Sequence, residues 1–245
     1  MRAWPGPPGP RPDQLTQPDL ALRGTPRGAP RAGSGAGSVR FSTPLTICRY
    51  PDPVLRAENE KVTVFDEKLE ALAEEMFHTM YRTDGVGLAA PQIGANYRLM
   101  VWNPEGDPKR GKEYVLVNPE IVKMSSDRIT GEEGCLSFPK LKADGSVAGP
   151  GPEGLILGDV ERRRAVRVEA QDLKGKPVRL KLSGWEAVIF QHEFDHLQGM
   201  LFHDRMAPDV FKACEADLQA LERDFRRRHP GAEVPDTASF RNLAA

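Results

Sequence analysis

The stretch QHEFDHLQG, Gln191 to Gly199, limits what this chain can fold into more than any other. Its two histidines stand four residues apart, with a glutamate directly after the first. On a helix, His192 and His196 project from the same side about one turn apart, so both imidazoles reach one divalent ion. Glu193 flanks that site and is placed to take a proton from water there. The flanks AVIF and MLF are apolar, which buries this face of the helix, and buried imidazoles need partners. A metal is the economical partner, and burial weighs against the bland alternative of two surface histidines met by chance. Any fold for this chain has to enclose that helix.

The surrounding pattern is that of an α+β protein: antiparallel strands around a central HExxH-bearing helix, with N-terminal and C-terminal flanking helices. A first helix is expected over about 67–83, capped by Asp66 and stopped near Gly85. Leu69, Leu72, Met76, Phe77 and Met80 share one of its faces, and His78 falls on a more polar one. RLMVW (98–102) and YVLVNPEIV (114–122) read as strands. AVRVEAQD and KPVRLKLSG alternate apolar and polar, as half-buried strands do, with LKGK as their hairpin turn. Ser183 and Glu186 form a candidate capping box for the motif helix, and Gly199 a candidate stop. Trp185, Val188, Ile189, His192 and His196 fall along one stripe of it. A last helix is expected over about 209–227, burying Phe211, Cys214, Leu218, Leu221 and Phe225. Arg226, Arg227 and Arg228 suit the negative end of its dipole. The Gly/Pro-rich run 143–154 reads as a surface loop, and Cys48 as a small core residue.

Composition sets the outer limits. Residues 1–41 are Pro-, Gly- and Arg-rich, with Asp13 and Asp19 the only acids. So little apolar surface cannot offset chain entropy, and a disordered extension is expected there, with a targeting or docking arm as the alternative. The catalytic domain is expected over 42–230 and a flexible tail over 231–245. A formal net charge of -1 gives no global pull toward nucleic acid or a membrane surface. The three cysteines, Cys48, Cys135 and Cys214, do not read as a disulfide framework, and they suit a reducing, cytoplasmic setting. No apolar run approaches the roughly 20 residues that span a bilayer.

A catalytic metal centre generally takes three protein ligands, and two candidates compete for the third. HEFDHLQGMLFH nearly copies the HExxHxxGxxH pattern of the metzincin peptidases. Phe202 stands where that pattern has its histidine, and His203 comes one residue late, which favours a polar residue after the helix. The second candidate is Cys135 in EEGCLSFP, whose sulfur suits a borderline-soft ion. A core cysteine is the bland alternative there.

Three segments in order resemble peptide deformylase: GVGLAAPQ at 85–92, EGCLS at 133–137 and HEFDH at 192–196, with YPDPVLR at 50–56 similar to the family's N-terminal segment. The likeness covers about residues 43–210. It implies Cys135, His192 and His196 as ligands of one divalent metal ion per chain, Fe2+ with Zn2+ as the alternative, and water in the fourth place. It implies Glu193 as general base and then acid. The Gln92 side chain and the Leu136 backbone N–H are the implied oxyanion donors. The implied activity is hydrolysis of the formyl group from formyl-Met N-termini of nascent polypeptides, with transient ribosome contact and without direct nucleic acid binding. An apolar pocket for methionine is expected from Val86, Trp185, Val188 and Ile189. Gly87, Glu133 and Arg162 are expected to touch substrate, and Asp195 to brace the site. The segment 140–158 reads as an insertion that alters the outer rim.

Overall fold

A computed structural model describes residues 15–16, 37–149 and 151–234. The extension expected over 1–41 and the tail expected over 231–245 therefore lie largely outside the described residues.

Asp66 starts α1 (Glu67–Arg82) by accepting hydrogen bonds from the Lys68 and Leu69 N–H groups. Its apolar face, Leu69, Leu72, Met76, Phe77 and Met80, is buried in a cluster with Leu88, Leu99, Val101 and Val117. The helix stops differently from expectation. Asp84, not Gly85, takes the left-handed conformation, at φ 54, and the Gly85 N–H closes the turn on the Met80 carbonyl at 2.9 Å.

Strands β1 (Leu15–Thr16), β2 (Gly87–Ala89), β3 (Leu99–Trp102), β4 (Tyr114–Ser125), β7 (Ala165–Gln171) and β8 (Pro177–Ser183) form one six-stranded sheet. Its order is β2-β3-β4-β7-β8, with β1 pairing β4, and every pairing in it is antiparallel. A separate antiparallel pair, β5 (Arg128–Pro139) and β6 (Leu155–Arg163), was not anticipated. The EGCLS segment lies on β5.

Helix α2 (Trp185–His196) packs against β2, β3 and β8 of the larger sheet and β6 of the smaller pair. Eight of its twelve residues are buried, as a helix enclosed on nearly all sides requires. The capping box expected from Ser183 and Glu186 does not form. Gly184 occupies the cap at φ 58 without a side-chain bond, because Ser183 still belongs to β8. Glu186 instead accepts from the Tyr114 hydroxyl at 3.1 Å. Finally α3 (Pro208–Arg228) lays Cys214, Leu218 and Leu221 on β6 and the aromatic cluster beneath it. Among the described residues no helix is long and apolar enough to cross a membrane.

Candidate metal centre

Sequence-distant segments meet over α2. Pairing of β5 with β6 lapses between Gly134 and Pro139, and such an irregularity re-aims side chains. Cys135 sits in that gap and turns toward α2. Its Sγ lies 3.3 Å from His196 Nε2. One ligand atom each from Cys135, His192 and His196 falls within 4.8 Å of the others. His192 Nδ1 meets Glu133 Oε2 at 2.8 Å, which leaves its Nε2 for the centre, the arrangement by which a carboxylate fixes the tautomer of a metal-binding histidine.

The group fits a divalent ion. Buried Glu193 Oε2 has no hydrogen-bond partner among the described residues, a cost that a polar centre beside it offsets. Burial and the His192 charge hold His196 well below the ordinary imidazole range, so it stands in the neutral form that ligates. At His192 burial opposes charge, but the bonds to Cys135 and Glu133 outweigh it and hold the group well above that range. Cys135 and Glu133 thus favour positive charge beside His192. One sulfur and two imidazole nitrogens suit zinc and ferrous iron alike.

Beneath the imidazoles lies a buried charge network. Glu133 accepts two bonds from Arg162, at 2.7 and 2.9 Å. Arg162 also bonds Asp195, which receives Arg205 at 2.5 and 2.6 Å. Burial alone would raise the Glu133 carboxyl, yet the Arg162 charge brings it down to about 2. Asp195 braces α2, as expected. Arg162, expected to touch substrate, is 4% exposed, is engaged with two carboxylates and is not among the residues that line the cavity below, because the alternation of β6 points it inward.

A cavity of about 600 Å³, its open mouth included, adjoins the centre. Val86, Leu136, Trp185, Val188 and Ile189 give it apolar walls, and Gly87, Gln92, Glu133, Cys135, His192 and Glu193 also line it. Gln92 is buried in the 3-10 turn Ala90–Ile93. Its Oε1 accepts from the Ala89 N–H at 2.8 Å, and its Nε2 turns to Cys135 Sγ and Ser137 Oγ, each at 3.4 Å. Glu193 packs on bare backbone: a Cβ at Gly87 would stand 2.4 Å from its Oε1. Burial pushes the Glu193 carboxyl up to about 7.

His203 lies elsewhere, as its one-residue slip suggested, but it is not a solvated residue. It is fully buried, with ring centroids 4.9 Å from both Tyr50 and Phe138. The chain turns at Gly199, φ 68, and the 3-10 turn Phe202–Arg205 delivers His203 to the aromatic cluster. Sequence reasoning missed Arg205, Ser137 and the cavity-lining Asp84, Pro152, Leu155 and Leu157. Only the EGCLS motif offered a signal, for Ser137; the others reach the site by tertiary packing.

The "Polypeptide deformylase" family model matches residues 44–148 and 151–212. "Peptide deformylase 1B, chloroplastic/mitochondrial" of Arabidopsis thaliana is 45% identical over 208 residues, which is 85% of this chain and 70% of that protein. The peptide deformylase of Thermotoga maritima is 40% identical over 178 residues, 73% of this chain and 96% of that one. A crystal structure of plant peptide deformylase 1B superposes with a TM-score of 0.73 at 44% identity, covering 81% of this chain and 100% of that chain. These findings overturn the cytoplasmic placement, since the similar plant proteins are named chloroplastic or mitochondrial. Unpaired cysteines suit any reducing compartment and do not single out the cytoplasm.

Proposed function

We infer the roles of individual residues from one premise: this chain belongs to the polypeptide deformylase family. It is a hydrolase that removes the N-terminal formyl group from nascent polypeptides. The observation that carries the residue assignment is the meeting of Cys135, His192 and His196 within 4.8 Å, with Glu193 on the adjoining cavity wall.

In this reading Cys135, His192 and His196 hold one divalent ion, which when bound supplies a Lewis acid that makes water nucleophilic near neutral pH. Ferrous iron is the ion we favour, and zinc fits the same donors. α2 serves as the central helix, carrying two ligands and the base on neighbouring positions. Glu193 takes a proton from the attacking water as its oxygen bonds the formyl carbon. A carboxyl held near 7 is matched to that task. The same carboxyl then protonates the leaving nitrogen as the C–N bond breaks, so that formate and a free amino terminus depart. Negative charge develops on the former carbonyl oxygen, and fixed donors there are worth about 3–4 kcal/mol each in favourable cases. Gln92 Nε2 fills that role, aimed by the bond its Oε1 receives from Ala89, together with the Leu136 N–H. The methionine side chain enters among Val86, Trp185, Val188 and Ile189. Glu133 supports the reaction through His192, and Gly87 leaves room for the base.

The catalytic unit in this reading spans 42–230, and transient ribosome contact belongs to it. For the compartment we infer an organelle, on the names of the plant relatives and the Arg-rich, acid-poor composition of 1–41. A fluorescent fusion that stays diffuse in the cytoplasm would overturn that placement. Formate release from a formyl-Met peptide tests the chemistry. Glu193→Gln is expected to lose roughly 10²–10⁴ in kcat while elemental analysis finds the metal retained. A variant as fast as the parent would remove Glu193 from the mechanism.

A further inference from the structure

The two proposed histidine ligands are not held alike. His192 has the Glu133 carboxylate at its Nδ1. His196 Nδ1 bonds no partner among the described residues, and His196 is the last residue of α2. A helix loosens at such an end, because its last four carbonyls have no partner within it. The bond that follows is already long, with the Leu197 N–H at 3.4 Å from the Glu193 carbonyl. The direction of the His196 ring therefore depends on what holds its backbone.

A buried amide stands at that backbone. Asn59, 8% exposed, donates from Nδ2 to the carbonyls of His196 and Ala57, each at 3.2 Å. Its Oδ1 accepts from Asn96 Nδ2 at 3.2 Å, and Asn96 Nδ2 also donates to the Val54 carbonyl at 2.9 Å. Each Nδ2 faces two acceptors and Asn59 Oδ1 faces a donor, so neither amide can turn over without losing bonds.

The pair has a firm mount. The Glu60 N–H donates to the Asn96 carbonyl at 2.9 Å, and the Arg98 N–H to the Glu60 carbonyl at 2.8 Å. Asn96 follows the 3-10 turn Ala90–Ile93, which carries Gln92, by way of Gly94 at φ 74. Two side-chain amides thus join the turn of the proposed oxyanion donor to the end of the helix that bears the ligands. The His196 carbonyl also accepts from the Gly199 N–H at 3.2 Å, but that bond lies within the turn leaving α2 and ties it to nothing outside. We propose that Asn59, aimed by Asn96, is a positioning residue for His196: its amide holds the carbonyl of a ligand whose Nδ1 has no anchor among the described residues. This rests on the ligand assignment proposed above.

The test reads metal binding as well as activity. Co2+ is the probe, followed by chelator competition and by the absorption bands of the loaded protein, which report ligand geometry. Losing an outer partner of a metal ligand costs about 10–100-fold in affinity or activity. Asn59 acts through the backbone, so Asn59→Ala is expected at the low end, with Co2+ bound about ten-fold more weakly, shifted bands, and a lower kcat at the parent KM. Asp66→Ala, which loses the cap of α1, is the stability control and should leave bands and affinity at parent values. Parent bands and affinity in Asn59→Ala would overturn the inference, as would equal shifts in Asp66→Ala. If Asn59→Ala does not fold, Asn96→Ala loosens the same amide without removing its donors. It should move both readings the same way, with affinity down about two- to three-fold, and parent values there would overturn the inference. A parent that binds no Co2+ would end the ligand assignment and this inference with it. Were formyl peptides to release no formate, the proposed reaction would fail by itself, and the Co2+ readings would still decide the role of Asn59.

Discussion

Gly87→Ala is the sharpest perturbation this site offers, because the three heavy atoms nearest to one added carbon all belong to the proposed base. Gly87 has no left-handed φ, so alanine there costs no backbone strain. Its Cβ would stand 2.4 Å from Glu193 Oε1, 2.9 Å from Cδ and 3.0 Å from Cγ. Ordinary contact begins near 3.4 Å, so the carboxylate must retreat by about 1 Å. It has no easy refuge, since Glu193 is 4% exposed. A displacement of about 1 Å in a reacting group is enough to cost on the order of 10²-fold, which is about 2.7 kcal/mol of transition-state stabilisation. No proposed metal ligand is among those three nearest atoms, so metal content should match the parent. The assay is kcat/KM for formate release, with elemental analysis on the same preparation. A double variant with Glu193→Asp adds a second reading. The shortened side chain vacates the contested space, so Gly87→Ala should cost much less on that background than alone. A Gly87→Ala enzyme within three-fold of the parent, or additive losses in the double variant, would show that the packing of Glu193 on bare backbone has no bearing on the chemistry.

Cys135→Ala is expected to lose the metal and His203→Ala to keep it, as read by elemental analysis; the reverse result would move the third ligand to His203. Glu133 carries a pH-dependent share of stability. Its folded value of about 2 lies below the ordinary 4.5, so the stabilisation is complete above about 4.5 and is lost as pH falls toward 2. At neutral pH that share is on the order of 3 kcal/mol. Denaturant unfolding of metal-free protein should show parent and Glu133→Gln converging across that window, and a constant gap would contradict the linkage. Asp66→Ala removes the cap of α1 and should cost about 1 kcal/mol, seen as a lower midpoint with unchanged kcat/KM.

What could be read from the sequence divides along a physical line. Features that report locally were legible. The period of α1 and α3, the alternation of β7 and β8, and the His192/His196 pair each follow from spacing along one element. EGCLS and GVGLAAPQ were legible as motifs, and the structure brings Cys135 and Gln92 of those motifs to the same cavity. β5 stayed hidden because Gly131 and Gly134 interrupt its pattern and its pairing lapses beside Cys135. β6 was hidden for the opposite reason. Its alternation is regular, with Ile156, Val160 and Arg162 on the buried side, but an arginine in the inward register reads as a solvent position until its carboxylate partners are known. The failed capping box has the same origin: Ser183 and Glu186 have the right spacing, yet the hairpin and Tyr114 claim them first.

The burial of Arg162 bears on how the site holds together. A buried arginine is tolerable only when its charge is met, and Glu133 and Asp195 meet it from β5 and α2 at once. Glu133 spends its remaining capacity on His192 Nδ1, so the tautomer of a proposed ligand depends on a strand far from it in sequence. Asp195, one residue before His196, ties the end of α2 through Arg205 to the turn that carries His203. Glu133, Arg162 and Asp195 thus join the β5–β6 pair to the helix. Cutting that joint should disturb the geometry of the centre before it disturbs the substrate cavity, so a variant such as Arg162→Leu is expected to weaken metal retention more than it raises KM. Chelator competition on the purified protein reads the first, peptide titration the second, and a raised KM with normal metal retention would return Arg162 to the substrate.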